Sequence, residues 1–374
     1  MTSTSPVSEE LFTYAAALRS PVIDPANRPG TATGRQVAPL EPEFLSWGEG
    51  CTVLATLGSV ELEYAALRTG CGVFDATCRG TISITGEDRV DFMERMTTQV
   101  FADLAPGEGR PAFMLDRTGR ILADLFVIVD SNRLLLDVDH SVASQISEQL
   151  SEFVVVDDVQ IEDVSDHMHR FWLIGSEAGA VPAAVLCDAL VVPRRFFDLP
   201  GLDVTVPLAD AVSVWRLLVH EHGVRPVGWH AMNMTRLEAA EPMFRIDFDQ
   251  ANLPRETGLI ADHVRFDKGC YIGQEVVARM ESRGRSARSV AVIDLPDQRQ
   301  PIAGTQVWRQ ADSEMDEPVG IVTSSAPSPM AGGRARAIAM VKSAVLEGGG
   351  EVATWADGER IEAVARYIPE KTGV

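Results

Sequence analysis

After Gly284 the chain breaks into short β-like runs: Val290 to Leu295, Gln306 to Arg309, Val319 to Ser324, Ala335 to Val341, Val352 to Trp355 and Arg360 to Tyr367. Gly and Pro clusters separate many of them. Strands this short leave backbone donors and acceptors along every edge, and closing the sheet on itself satisfies them. The spacing therefore predicts a small antiparallel barrel at the C-terminal end.

Upstream the periodicity is mixed. Glu9 to Arg19 has helical character, and the Pro- and Gly-rich stretch from about 20 to 43 reads as extended connection. A compact pattern starts near Phe44. Ser59 to Arg68 is helical in period, with Ser59 as N-cap and Gly70 beyond the end. Thr81 to Thr85 alternates as a strand, and a helix carrying Val90, Phe92, Met93 and Met96 follows. Strands are expected around Arg110 to Leu115 and Ile121 to Val129, joined by a hairpin turn at Asp116-Arg117-Thr118-Gly119. Leu134 to Val138, Phe171 to Gly175 and Leu202 to Val206 are further strands, and Val142 to Phe153 and Asp210 to His222 further helices. This order fits a mixed α+β sheet better than a doubly wound parallel one. No GxGxxG or Walker-type loop supports a dinucleotide or nucleotide-hydrolysis reading. Three regions are expected: an N-terminal extension (1–44), an α+β region of two interleaved subdomains (45–288) and the barrel (289–374).

Composition narrows the class. With 45% hydrophobic and 23% charged residues in 374, the chain is an ordinary globular one with a large core. No apolar run reaches the length of a membrane span, and the first ten residues lack a signal-peptide layout. Five cysteines with no CxxC pair argue against a disulfide scaffold and a zinc site, and fit a reducing cytoplasm. A formal net charge of −21 repels a nucleic-acid backbone, so direct nucleic-acid binding is disfavoured. His220/His222 and His167/His169 lack a third ligand at recognised spacing, so no metal site is expected. Met232, Met234 and Leu237 read as core.

One stretch carries concentrated chemistry: Lys268-Gly269-Cys270-Tyr271-Ile272-Gly273-Gln274-Glu275. Gly273 caps a helix whose apolar stripe is Val276, Val277 and Met280, and Gly284 ends it. Cys270 sits just ahead of that helix, where the N-terminal dipole and Lys268 favour thiolate while Asp267 and Glu275 oppose it. The direction of any shift is open from sequence. Arginines at 279, 283, 285 and 288 form a local basic cluster out of character with the chain's acidity.

The octapeptide resembles the signature of YgfZ-type folate-binding proteins, relatives of the glycine-cleavage T-protein (aminomethyltransferase). Other segments agree in order over roughly residues 45 to 370: Gly72-Val73-Phe74-Asp75, Gly86-Glu87-Asp88-Arg89 with Met96-Thr97-Thr98, Thr235-Arg236-Leu237-Glu238-Ala239, and Val319 to Ser324 with Pro329. The resemblance implies a GcvT/YgfZ-like ring of domains around a central folate channel, with tetrahydrofolate or a one-carbon derivative as cofactor. In Gly119 to Leu125 the T-protein's pair of aspartates becomes Ala123 and Asp124, and the second is the family's catalytic group. Asp203 matches a pterin-gripping glutamate, one methylene shorter, and Arg236 a folate-contacting arginine. The resemblance thus implies Cys270, Asp124 and Lys268 as catalytic residues and Asp203, Arg236, Asp124 and Tyr271 as cofactor-binding ones. A carboxylate suits the donor edge of a pterin, and forked guanidinium donors suit the carboxylates of a folate tail.

Two functions follow from the resemblance. The first is a cytoplasmic tetrahydrofolate-binding protein that supports iron–sulfur cluster assembly or repair, and through it cluster-dependent enzymes including tRNA-modifying ones. Its partners would be the iron–sulfur assembly machinery or cluster-containing client enzymes. The alternative is a folate-dependent aminomethyltransferase or other one-carbon transferase, which the retained Asp124 favours.

Overall fold

The computed structural model describes residues 5–18, 41–48, 50–181, 186, 189–284, 286–312 and 314–369; most of the connection expected over 20–43 lies outside them, as do Cys187 and Arg285. Helix α1 (Ser8–Leu18) is followed by a hairpin of β1 (Glu43–Gly48) and β2 (Cys51–Thr56), which sequence periodicity had not marked. Then come α2 (Val60–Thr69), β3 (Gly72–Asp75), β4 (Arg79–Thr85), α3 (Arg89–Met96), β5 (Gly109–Leu115), β6 (Ile121–Val129), β7 (Arg133–Asp139), α4 (Ala143–Glu152) and β8 (Gln160–Asp163). The next elements are β9 (Met168–Ile174), β10 (Leu190–Phe196), β11 (Leu199–Pro207), α5 (Ala211–Arg216), β12 (Arg225–Pro226), α6 (Trp229–Glu238), α7 (Ile260–His263) and α8 (Gln274–Arg283). β13 (Arg288–Asp294), β14 (Gln306–Arg309), β15 (Gly320–Pro327), β16 (Ala335–Lys342), α9 (Ser343–Glu347), β17 (Glu351–Ala356) and β18 (Glu359–Tyr367) complete the chain.

The strands form two five-stranded sheets, in the orders β5-β6-β7-β4-β8 and β10-β11-β9-β3-β12, and a closed barrel β13-β16-β15-β14-β17-β18. Every pairing in the barrel is antiparallel, as its short alternating runs predict. β18 shows why: Ile361, Ala363 and Ala365 are buried while Glu362, Val364 and Arg366 face outward, the period of two that a one-sided sheet requires. Helix α4 buries Ala143, Ile146, Ser147 and Leu150, a stripe at helical spacing against the first sheet. Truncating Leu150 to alanine would cost about 2–5 kcal/mol.

Ser59 departs from its expected role. It makes no side-chain cap, and Glu63, four residues on, turns inward to accept from Leu57 N (2.7 Å), Gly228 N (2.8 Å) and Thr56 Oγ1 (2.8 Å). The helix expected over Asp210 to His222 is α5 followed by a π-turn at Leu217–Glu221, whose wider ring closes through His222 N to Leu217 O.

The two sheets meet over a lattice of buried charges. Asp137 of β7 accepts from Arg79 Nε and Arg194 Nη1, each at 2.6 Å, and lies 3.5 Å from Arg170 Nε. Asp203 of β11 is bonded by Arg170 Nη1, and by Arg194 Nη1 at 2.9 Å. Thus β4 and β7 of one sheet are cross-linked to β9, β10 and β11 of the other. Burial alone would raise the Asp137 carboxyl, but Arg79, Arg170 and Arg194 overcome it and hold Asp137 well below the usual carboxylate range. The Arg194 guanidinium also lies 4.0 Å over the Phe126 ring and 5.0 Å over Phe196, which covers its face with apolar surface.

Removing one member of such a lattice leaves the others charged, buried and unpaired. Asp137→Asn is expected to lower the unfolding free energy by about 3–5 kcal/mol in chemical denaturation. A loss below about 1 kcal/mol would show that the lattice does not hold the sheets together.

Candidate active site

Asp124 lies on β6 opposite Phe113 of β5, and its side chain keeps 23% of its surface accessible. Its Oδ1 is 3.2 Å from Nε2 of His263, the last residue of α7. His263 is fixed from three directions, two through its ring and one through its backbone. Nδ1 lies 3.1 Å from Leu259 O, the ring stacks on Phe113 at 4.5 Å between centroids, and the His263 carbonyl accepts from Thr98 Oγ1 at 2.6 Å.

That geometry sets the proton count. Nδ1 must donate to the Leu259 carbonyl, which can only accept, so Nε2 faces Asp124 either as a lone pair or as a second N–H. Two acceptors facing one another at hydrogen-bond distance repel, so the contact is favourable with a proton between the two groups. A carboxyl–imidazole pair with part of its carboxylate accessible has the composition of a general acid–base group. Sequence reading singled out Asp124 and not its neighbour His263. Its only sequence signal is a lone histidine ending Leu259-Ile260-Ala261-Asp262-His263, and the partnership arises from tertiary packing.

The segment after His263 carries the octapeptide. Arg265 N bonds Thr98 O at 2.8 Å, and Ile272 N bonds Arg95 O at 3.3 Å, so the segment runs along the C-terminal end of α3. Lys268 is not poised at the thiol as a catalytic group. Its Nζ donates to the carbonyls of Glu94 (2.5 Å), Thr97 (2.8 Å) and Gln99 (2.6 Å), the acceptors exposed where α3 ends. It also lies 5.1 Å from the Tyr271 ring centre. Tyr271 is buried, which pushes its hydroxyl up to about 12, so it packs as an anchor rather than facing a ligand. Both catalytic Lys268 and ligand-binding Tyr271 are therefore corrected to structural roles.

Gly273 caps α8 at a φ of +82°, and a Cβ there would stand 2.6 Å from Asp116 O in the β5–β6 turn. Only glycine permits both the left-handed backbone and this approach. That turn is the expected one, with Asp116 Oδ1 accepting from Thr118 N and Arg120 N. Between these anchors Cys270 is exposed.

Two further expectations are overturned. Asp203 has no exposed surface, and its oxygens are bonded by Arg170 and Arg194, so it presents no free edge to a pterin. Arg236 is equally buried. It pairs with Asp247 and donates to Glu241 O (2.9 Å), Asn233 Oδ1 (2.8 Å) and Ser324 Oγ (2.9 Å), so no folate carboxylate reaches it. Its role is to tie α6 to the barrel. A register shift between Val322 and Ser324 lets Thr323 and Ser324 both donate to Asp247, each at 2.6 Å. Within the basic cluster, Arg288 pairs with Glu256 at 3.3 Å. Of the residues expected to meet a folate, Asp124 keeps accessible surface, whereas Asp203 and Arg236 have none.

Comparison with known proteins points the same way as the fold. The family model described as the GCVT N-terminal domain matches residues 55–198. The aminomethyltransferase of Halalkalibacterium halodurans is 25% identical over 305 residues, covering 75% of this chain and 81% of that protein. The aminomethyltransferase of Staphylococcus carnosus is 24% identical over 332 residues, covering 83% and 88%. Among solved structures, the glycine cleavage system aminomethyltransferase T of Bartonella henselae superposes with a TM-score of 0.78 at 21% identity, covering 89% of this chain and 95% of that one. The chain has the fold of that protein, α+β with a closed six-stranded antiparallel barrel. No helix among the described residues is long and apolar enough to cross a membrane.

Lys268 gives a test of the anchoring. Burial pushes its ammonium down to about 8, with Glu94 opposing, against 10.5 for an ordinary lysine. Between those pH values the unfolded chain holds the extra proton, so the Lys268 contribution makes stability rise with pH there; below about 8 the cost of burying the charge is present in full. Lys268→Met strands three carbonyls and is expected to cost about 1–3 kcal/mol at pH 7. The gap to wild type should widen from about pH 8 to 10.5 in denaturation curves. A gap constant with pH would remove the lysine's titration from the account.

Proposed function

We propose that this chain is a folate-dependent one-carbon transferase of aminomethyl type, with Asp124 and His263 as its acid–base pair. The observation that carries the reading is the Asp124–His263 contact on an open stretch of β6. The likeness to aminomethyltransferases in sequence and fold supports it. Tetrahydrofolate, when bound, would supply the amine nitrogens that accept the one-carbon unit. The chain's own part is to hold one proton beside the reacting nitrogen and move it between Asp124 and His263 as charge develops. Phe113 and Leu259 keep the imidazole in the plane that exchange requires.

Methylene-tetrahydrofolate formation with an aminomethyl-lipoyl carrier tests this. Asp124→Asn keeps the shape and removes the proton site, and is expected to lower turnover by about 10²–10⁴-fold. His263→Gln should lose a comparable factor. Wild-type turnover in Asp124→Asn would end the proposal.

A second reading rests on the exposure of Cys270 between the Lys268 and Gly273 anchors. In it the chain is a YgfZ-type protein whose thiol meets iron–sulfur assembly machinery or a cluster-containing client. Sequence and fold comparison favours the transferase reading over this one. Cys270→Ser should abolish complementation of cluster-enzyme activity while leaving one-carbon transfer intact. Full complementation by that variant would exclude the thiol role.

A further inference from the structure

A cavity of about 280 Å³ lies between the β1–β2 hairpin, the end of β7 and the loop after α6, lined by Ser46, Trp47, Asp139, Arg245 and Ile246. Its walls carry opposite charges that are not paired with each other. Asp139 is buried, and its Oδ1 accepts from Ser141 N at 3.0 Å and from Ser141 Oγ. Among the described residues its Oδ2 has only Trp47 Nε1, at 3.3 Å. A carboxylate oxygen offers two acceptor positions, so one on Oδ2 remains open.

Arg245 is exposed, and its guanidinium has no acceptor among the described residues. Its backbone is held rigidly all the same. Arg245 N bonds Phe248 O at 2.7 Å, and two residues on Asp247 is locked to Arg236, Thr323 and Ser324. Arg245 sits at a φ of +69°, a left-handed conformation that a side chain with a Cβ rarely adopts. Strain of this kind persists where the surroundings over-determine it, and it gathers at ligand sites. Trp47, steadied by an edge contact with Trp229 at 4.7 Å, supplies an apolar wall.

A purely anionic ligand would meet the Asp139 carboxylate, and a purely cationic one the Arg245 guanidinium. A molecule with both charges satisfies both walls. The volume lies just under the usual range of ligand pockets, roughly 300–1,000 Å³, so the occupant is small. We propose that this cavity binds a small amino-acid zwitterion, its carboxylate on Arg245 and its ammonium on Asp139 Oδ2, with any side chain along Trp47. The site is independent of the one-carbon reading, because it uses neither Asp124 nor His263.

Calorimetric titration of the full chain tests it with glycine, L-alanine and L-methionine, against propionate and propylamine as single-charge controls. At least one amino acid should bind about tenfold or more tightly than both controls. Arg245→Gln, which alters an exposed side chain only, should weaken that binding by about tenfold or more. Asp139→Asn should do the same, with circular dichroism confirming that its capped turn still folds. No binding of any of the three amino acids, binding no tighter than the controls, or unchanged binding in Arg245→Gln would each overturn the proposal. Loss of transfer in Asp124→Asn with amino-acid binding retained would keep the two sites separate.

Discussion

The structure depends on the pairing of Asp137 and Asp203 with Arg79, Arg170 and Arg194. Apolar packing is non-directional and would tolerate several ways of stacking the two sheets. Five charges meeting there, three of them buried outright, tolerate one, since any slip leaves a charge without its partner. A one-residue shift of β10 would turn Arg194 to the other face, because strand side chains alternate. The aromatic rings of Phe126, Trp172 and Phe196 around Arg194 do more than fill space. They shield the lattice from water and shape the place where its cation is held.

From that fixed centre the acid–base pair is positioned at short range. β6 and β7 pair directly from Phe126 to Val129, so the register that sets Asp137 on β7 also sets the strand carrying Asp124. His263 arrives from elsewhere in the chain and is held by Thr98, which also receives Arg265 N at its own carbonyl. Lys268 then closes the α3 terminus with three further bonds. A helix end with free carbonyls is a polar hazard when half buried, and a lysine from another segment relieves it while fixing that segment's path. The exposure of Cys270 follows mechanically. Lys268 and Tyr271 on either side are committed inward, and the thiol is not.

What the sequence reveals of this arrangement tracks the range of the interactions concerned. The barrel strands, β5, β6, the turn at Asp116 and α8 were legible because their periods and turn residues are local properties. β10 was not, since Pro193, Arg194 and Arg195 interrupt its apolar pattern and Arg194 is satisfied only by Asp137 and Asp203 on other strands. The β1–β2 hairpin was missed for lack of a clear alternation, since five of the six residues of β2 are buried. Met232, Met234 and Leu237 were rightly placed in the core. At the site, Asp124 was legible through family resemblance, whereas His263 had no periodic or motif signal. Asp203 and Arg236 show the opposite failure. Residue type and position matched a binding role, but the partners that consume their hydrogen-bonding capacity come from neighbouring turns and strands and only the fold brings them to bear.

A carboxylate's role is decided by which groups own its lone pairs. Asp124 gives one oxygen to an imidazole and keeps accessible surface; Asp203 gives both oxygens to guanidinium groups in a dry interior. For a ligand to claim the Asp203 edge, Arg194 would first have to leave it, and breaking a buried pair costs about 3–5 kcal/mol. Part of that cost is offset within the lattice, because Arg194 would keep its bond to Asp137 and its place over Phe126. A pterin donor edge would then have to return the remainder through two charge-assisted hydrogen bonds of its own. A ligand at Asp203 would thus require an exchange of one set of donors for another, whereas Asp124 stands open without any exchange. Asp203 is therefore a structural carboxylate, and the hold of Arg194 on it keeps it one.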